Sequence, residues 1–323
     1  MHDIRETADR LVREVSKVII GKEEQIRLVI LSVFCGGHIL FDDLPGVGKT
    51  TLVKTVSKAL GCSFSRVQFT PDLLPSDITG MKVFNQKTGD FSMRHGPVMT
   101  NILLADEINR AIPRTQAALL EAMEELQVTV ESETYPLPAP FLVMATQNPV
   151  EADSTFHLPV AQMDRFLMRL TLGYPGNDEE MQMLRTVGDE IPFHLVEPVL
   201  SAEEITGIQH QIREVHIADA TLEYMVSLVE ATRRSGFLLL PAGPRGSRAL
   251  FRAGKAWAAM SGRDYVTPDD VKELAPYVLC HRISLTSDAR IGGKTASGII
   301  AEIVAGTPAP GSTEEILYAQ SGQ

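Results

Sequence analysis

Between Lys22 and Phe34 the apolar residues Ile26, Val29, Ile30, Val33 and Phe34 recur at helical spacing, which predicts a helix with one buried face, stopped by Gly36-Gly37. A short apolar run, His38 to Phe41, follows, then the glycine-containing stretch DLPGVGKT, then TTLVKTVSKAL with a helical pattern ended by Gly61. The order is strand, loop, helix. Further apolar runs stand at Ser65 to Phe69, Asn101 to Ala105, Phe141 to Ala145 and Leu167 to Leu172. Strands separated by helices imply an α/β fold with a doubly wound parallel sheet.

Two stretches interrupt that rhythm. MKVFNQKTGDFSMRHG and LQVTVESETYPLP each read as two short strands about a turn, inserted between core elements. Beyond Tyr174-Pro175-Gly176 the pattern becomes helical. Helix-start signals recur at Asn177, at Ser201 with Glu204, at Asp219, at Thr267 with Asp270, and at Ser312 with Glu315, and no strand run is expected between them. The expected division is an α/β domain over residues 1–175 and a small all-α domain over 176–323, with a linker at TPAPGST near 307–313.

Composition narrows the classes. In 323 residues, 44% hydrophobic and 22% charged with a mean hydropathy of +0.02, nothing suggests a disordered or fibrous chain. The formal net charge of −11 offers no global positive field for nucleic acid, which makes it an unlikely partner. Three scattered cysteines, Cys35, Cys62 and Cys280, fit neither a disulfide framework nor a metal knuckle. The start is charged throughout its first fifteen positions, and the longest uncharged run, Leu28 to Phe41, is too short to span a bilayer. A cytoplasmic protein with no membrane span is expected.

The chemistry concentrates at strand ends. Asp43 to Thr50 nearly fits the phosphate-loop pattern GxxxxGK[ST], with Asp43 in place of the first glycine. Gly46 and Gly48 let backbone N–H groups turn inward, Lys49 can meet terminal phosphates, and Thr50 can ligate Mg²⁺. The run from Asn101 ends in Asp106 and Glu107, one carboxylate to hold a metal's shell and one to polarise a water for in-line attack. The run from Phe141 delivers Asn148 to the same edge. Other signals fall away. Asn85 to Thr88 lacks the aspartate of the guanine-reading NKxD, the histidines have no zinc spacing, and Arg233-Arg234 suits a helix end.

Taken in order, DLPGVGKT, ILLADEINR, ATQNP, LPVAQMDRF, AGPRGSRAL and GRDYVTPDDV closely resemble the MoxR family of AAA+ ATPases, over about Ile19 to Arg282. The resemblance implies a P-loop AAA+ fold, ATP and Mg²⁺ as cofactors, and a homo-oligomeric ring, expected to be a hexamer. It implies a Walker A loop with Gly46, Val47, Gly48, Lys49, Thr50 and Thr51 on the nucleotide, and Ile20 and Gly21 lining the adenine pocket. It implies a Walker B pair at Asp106 and Glu107, with Thr50 and Asp106 on the metal, and sensor 1 at Asn148. Arg165 matches the arginine finger, which belongs in the neighbouring subunit's site. Arg245 matches sensor 2, although Pro241 and Gly243 stand where the family has glycine and serine, and Arg248 competes for the role. The family pattern is also departed from at Ser154, His157 and Val160. Residues 80–96 resemble the helix-2 insert and 127–137 the pre-sensor 1 hairpin.

The function so implied is chaperone-like remodelling or maturation of protein complexes, often with a partner bearing a von Willebrand factor A domain. Other readings remain open: the ATPase subunit of a metal chelatase, which shares this clade, a nucleotide-gated scaffold with little turnover, and DNA remodelling, which the acidic balance disfavours.

Overall fold

The computed structural model describes residues 3–84, 86, 89–148, 156–186 and 191–311. The charged N-terminal stretch forms α1 (Ile4–Ser16), whose buried Ala8, Leu11, Val12 and Val15 follow the three- and four-residue spacing of one helix face. Next come α2 (Glu23–Phe34), β1 (Ile39–Asp42), α3 (Lys49–Ala59) and β2 (Phe64–Gln68). After α4 (Pro75–Thr79) a hairpin of β3 (Gly80–Phe84) and β4 (Phe91–His95) intervenes before β5 (Ile102–Asp106). Beyond α5 (Pro113–Glu125), a second hairpin of β6 (Gln127–Val130) and β7 (Glu133–Pro136) precedes β8 (Leu142–Gln147). Then follow α6 (Val160–Met163) and β9 (Met168–Leu170).

The five sheet strands lie in the order β2-β5-β8-β1-β9. The ladders β2–β5, β5–β8 and β8–β1 are all parallel, so these strands end at one edge of the sheet. β5 is buried along its whole length and β8 and β1 at all but their last residue, which is why these strands read as continuous apolar runs rather than alternating ones. His38 is tolerated beside them because Val143 N donates to its Nδ1 at 3.0 Å and its Nε2 lies 3.1 Å from the Met123 carbonyl. Both inserted hairpins stand outside this sheet. Lys82 Nζ meets Glu133 Oε1 at 2.7 Å, and the His95 and Tyr135 rings meet edge-on at 5.8 Å, which ties one hairpin to the other.

The remaining elements are α7 (Asn177–Thr186), α8 (Ala202–Arg213), α9 (Asp219–Arg234), β10 (Leu238–Leu240), α10 (Pro244–Met260), α11 (Pro268–Leu279), β11 (Ser284–Leu285), α12 (Ser287–Ile291) and α13 (Ala296–Gly306). Two of the expected start signals, at Ser201 and Thr267, act as caps, whereas α9 is preceded by Ala218 with no side-chain cap and Asp219 stands in its first turn. Glu204 N donates to Ser201 Oγ while Ser201 N donates to Glu204 Oε2, and Thr267 and Asp270 exchange the same pair of bonds. The ribbon of β10 and β11 is a difference from the strand-free reading of this region. Three and two residues are too few for alternation to register. The start signal at Ser312 lies outside the described residues, as do Asn85, Lys87 and Thr88 of the set-aside NQKT stretch and Ser154.

Contacts divide the described chain into two compact units. One draws on Thr7–Leu158 and Leu170–Ile208, the other on the residues up to Glu6, on Pro159–Arg169 and on those from Gln209 onward. A cut near residue 175 is therefore not where the contacts part. α7 groups with the sheet, and the α6 segment groups with the later helices. All three cysteines are free, and burial pushes the Cys62 and Cys280 thiols up to about 11.

Candidate functional site

At the carboxyl edge of the sheet, within the first unit, lies a cleft of about 400 Å³. Its lining gathers Gly46, Gly48, Lys49, Thr50 and Thr51 from the glycine loop, Asp106 and Glu107 from β5, and Asn148 from the end of β8. Three stretches more than thirty residues apart in sequence thus meet because parallel strands end together.

The loop owes its shape to backbone rather than to crowding. Gly46 and Gly48 adopt φ of +81° and +87°, and a Cβ at either would meet nothing within 4 Å. Glycine is needed there for the left-handed conformation. Gly48 caps α3, whose first residue is Lys49, so the helix's unpaired N–H groups face the loop. The departure at Asp43 has a physical account. Its buried carboxylate accepts Leu44 N at 2.9 Å on one oxygen and Leu172 N and Gly173 N at 2.6 and 2.9 Å on the other. An aspartate in place of glycine therefore anchors the loop to the turn after β9.

Lys49 Nζ donates to the Asp43 and Leu44 carbonyls at 2.8 and 3.0 Å. Burial lowers the pKa of its ammonium, and the negative charges of Asp43, Asp106, Asp42 and Glu107 oppose that shift. Val47 belongs to the loop but is not among the residues lining the cleft. Neither are Ile20 and Gly21, which stand between α1 and α2. Gly21 has φ +71°, and a Cβ there would run into the Glu179 side chain at 2.2 Å.

The two carboxylates are held by a network. Thr146 Oγ1 donates to Asp106 Oδ1 at 2.7 Å and accepts Glu107 N at 2.8 Å. Glu107 itself sits at φ +55°, a left-handed conformation that costs a side-chain residue about 1–2 kcal/mol. Strain of this kind collects where a side chain must be aimed. Its Oε2 accepts Gln68 Nε2 at 2.8 Å and an Arg110 guanidinium nitrogen at 3.0 Å. Asp106 Oδ2 accepts both Nε and Nη2 of Arg66, at 3.1 and 2.6 Å. Asn148 is buried, and its carbonyl accepts Asn109 Nδ2 at 3.2 Å.

Arg66, Gln68 and Thr146 line the cleft and were missed from sequence. A signal existed. Within the apolar run of β2, Arg66 and Gln68 are polar at period two beside its carboxyl end. Thr146 is indistinguishable from a β-forming residue until its neighbours are placed. Arg165 and Arg245 belong to the other unit. Arg165 lies in the turn after α6, where its N–H donates to Gln162 O at 3.2 Å, and Arg245 is the second residue of α10. Arg248, the competitor, is exposed one turn further along α10.

Among the described residues no cluster of three or more His, Cys, Asp or Glu side chains could cage a metal. What the cleft does offer is the hydroxyl of Thr50 and the carboxylate of Asp106 among its three threonines and two acidic residues. Sparse hard-oxygen donors suit Mg²⁺, which keeps waters and shares phosphate oxygens rather than filling an all-protein site.

A family model described as the ATPase family associated with various cellular activities (AAA) matches residues 38–168, and an AAA lid domain model matches 230–303. The chain is 45% identical to the uncharacterized protein YeaC of Bacillus subtilis over 95% of its length and 96% of the relative's. To Chaperone MoxR1 of Mycobacterium tuberculosis it is 40% identical over 88% of this chain and 77% of that one. A crystal structure from Cytophaga hutchinsonii, 39% identical, superposes with a TM-score of 0.87 over 94% of both chains. With glycine loop, paired carboxylates and strand-end asparagine lining one cleft, and kinship of this extent, the chain belongs to the MoxR family of AAA+ ATPases.

Proposed function

We propose that this chain is a Mg²⁺-dependent ATP hydrolase that works as a ring, expected to be hexameric, and spends hydrolysis on remodelling or maturing a protein complex. The observation that supports it most is the cleft in which Lys49, Thr50, Asp106, Glu107 and Asn148 line one cavity. In this reading the chain up to about residue 175 takes the nucleotide and the remainder works as a lid.

Each side chain then has a task. The N–H groups at the start of α3 and the Lys49 ammonium take the triphosphate's charge, with Lys49 leaving the two carbonyls it now meets. Thr50 and Asp106 would hold Mg²⁺, which would supply charge neutralisation to the phosphates. Arg66 must then yield Asp106 Oδ2. Glu107, aimed by its left-handed backbone and by Thr146, accepts a proton from the attacking water, and Asn148 orients that water or the γ-phosphate. Arg165 is read as a cation lent to the neighbouring copy's site, and Arg245 as the lid's contact to the γ-phosphate. Ile20 and Gly21 are read as the adenine contact.

The client would be met at the hairpins. Phe84 and Phe91, half exposed or more, pair their rings at 5.2 Å near the tip of β3–β4. A partner bearing a von Willebrand factor A domain is the client class we favour. Among the described residues no helix is long and apolar enough to cross a membrane. We place the work in the cytoplasm.

Steady-state ATP turnover and oligomer mass test this reading. Glu107→Gln is expected to retain nucleotide and accumulate as ring while turnover falls by about a hundredfold or more. Unchanged turnover would remove Glu107 from its role. Arg165→Ala is expected to lose turnover while keeping nucleotide affinity, and full activity as a monomer would end the ring model. A scaffold that merely binds ATP predicts no turnover in the parent protein.

A further inference from the structure

Arg282 is nearly inaccessible, with 3% of its side chain exposed, yet it carries a full charge. Burial pulls its pKa down to about 10, Asp164 pulls it back up, and Arg245 lowers it again, so it stays a cation at neutral pH. Such a charge is costly to bury unless everything about it is paired. The partners are specific. Nε lies 2.8 Å from Asp164 Oδ1, one terminal nitrogen donates to Phe166 O at 2.6 Å and reaches Asp164 O at 3.4 Å, and the other donates to Leu167 O at 3.1 Å and to Val278 O. His281 completes the surroundings, its Nε2 lying 2.7 Å from the Arg282 nitrogen that meets Leu167 O and 3.1 Å from Phe166 O.

The residues seized are those on either side of Arg165. On its other flank, the aliphatic stem of Arg282 lies under the first turn of α10. A Cβ placed on Gly246, next to Arg245, would stand 3.5 Å from Arg282 Cδ and 3.2 Å from Leu279 Cδ2. All of these groups fall within the same compact unit, the one built on the later helices. A lysine could supply the charge but not the planar fork that reaches a carboxylate and several carbonyls together.

We propose that Arg282 is a positioning residue for Arg165: it fastens the Asp164-Arg165-Phe166 turn to the end of α11, with its stem packed under the first turn of α10, so that the Arg165 side chain leaves a fixed backbone. This rests on the reading of Arg165 as a cation lent to the adjoining copy.

The experiment compares Arg282→Lys, Asp164→Asn and Arg165→Ala in the full chain, alone and mixed with an equal amount of Glu107→Gln. Affinity for a fluorescent ATP analogue, kcat, oligomer mass and melting temperature are read for each. Arg282→Lys is expected to lose about tenfold or more in kcat while analogue affinity stays within about twofold. Mixing with Glu107→Gln is expected to restore turnover, because the added copies bring a correctly held Arg165 to sites whose own Glu107 is intact. Asp164→Asn, the milder change should Arg282→Lys fold poorly, is expected to show the same split. Normal kcat in both variants overturns the proposal. So does a defect that mixing fails to repair while mixing repairs Arg165→Ala, since the damage then lies in the site and not in the lent cation. Should Arg165→Ala itself turn over normally, the reading of Arg165 falls, and it does so independently of how the Arg282 variants behave.

Discussion

Two arginines in this molecule each hold an aspartate, and they differ in what surrounds them. Arg66 meets Asp106 at the rim of the cleft with 47% of its side chain exposed, and Arg282 meets Asp164 with 3% exposed. The contact distances are nearly the same, 2.6 and 2.8 Å. Water decides their worth. An exposed pair gains little because solvent screens it and competes for both partners, whereas a buried pair cannot lose one member without stranding the other. The first arrangement suits a carboxylate that must change partners during a cycle. The second suits a joint that must not.

The largest effect expected from this contrast is on stability. Arg282→Ala should cost about 3–5 kcal/mol of unfolding free energy, because the carbonyls of Phe166 and Leu167 lose a buried donor and Asp164 loses its counter-charge. Urea unfolding of the variant beside the parent measures it. A loss under about 1 kcal/mol, the range of an exposed pair, would erase the distinction between the two arginines.

The same contrast explains what could be read from sequence. The cleft's central residues were legible because phosphate binding demands a fixed order: glycines where the backbone turns left-handed, a lysine at the helix start, carboxylates at the next strand end. The sheet was legible because strands buried on both faces are apolar throughout. Arg66, Thr146 and Asp43 were not, since each acts on a residue far away in the chain, Asp43 on Leu172 and Gly173, for instance. Arg282 was invisible as anything but a charge after a helix. Its partners in the Arg165 turn lie more than 110 positions earlier, and only packing discloses that it is buried. The capped helix starts were local and were read; the five residues of β10 and β11 pair across the chain and were not.

A middle-sized effect concerns pH. His281 is wholly buried, and burial first, then the neighbouring Arg282 and Arg169 charges, hold its imidazole well below the ordinary 6.5. It therefore stays neutral in the native chain where the unfolded chain takes up a proton. Native stability is full above pH 6.5 and declines as pH falls below it, by up to about 1.4 kcal/mol per pH unit from this one group. His281→Gln, which offers an amide in place of the ring and does not titrate, should flatten that part of the stability profile. An unchanged acid slope in the variant would mean that the joint around Arg282 does not exclude water as its burial implies.

The smallest expected change in stability belongs to Arg66→Ala, which should unfold within about 1 kcal/mol of the parent because Arg66 itself is half exposed and Thr146 still donates to Asp106. Its consequence should appear instead in the metal dependence of turnover. With Arg66 gone, its hold on Asp106 Oδ2 is removed, and Thr146 still orients the other oxygen. The Mg²⁺ concentration giving half-maximal turnover at saturating ATP should then fall by about threefold, which is about 0.65 kcal/mol. A rise in that concentration would make Arg66 a partner of the bound phosphates rather than a placeholder on the carboxylate. The exposed arginine would then be doing positional work of its own, and exposure alone would no longer separate it from Arg282.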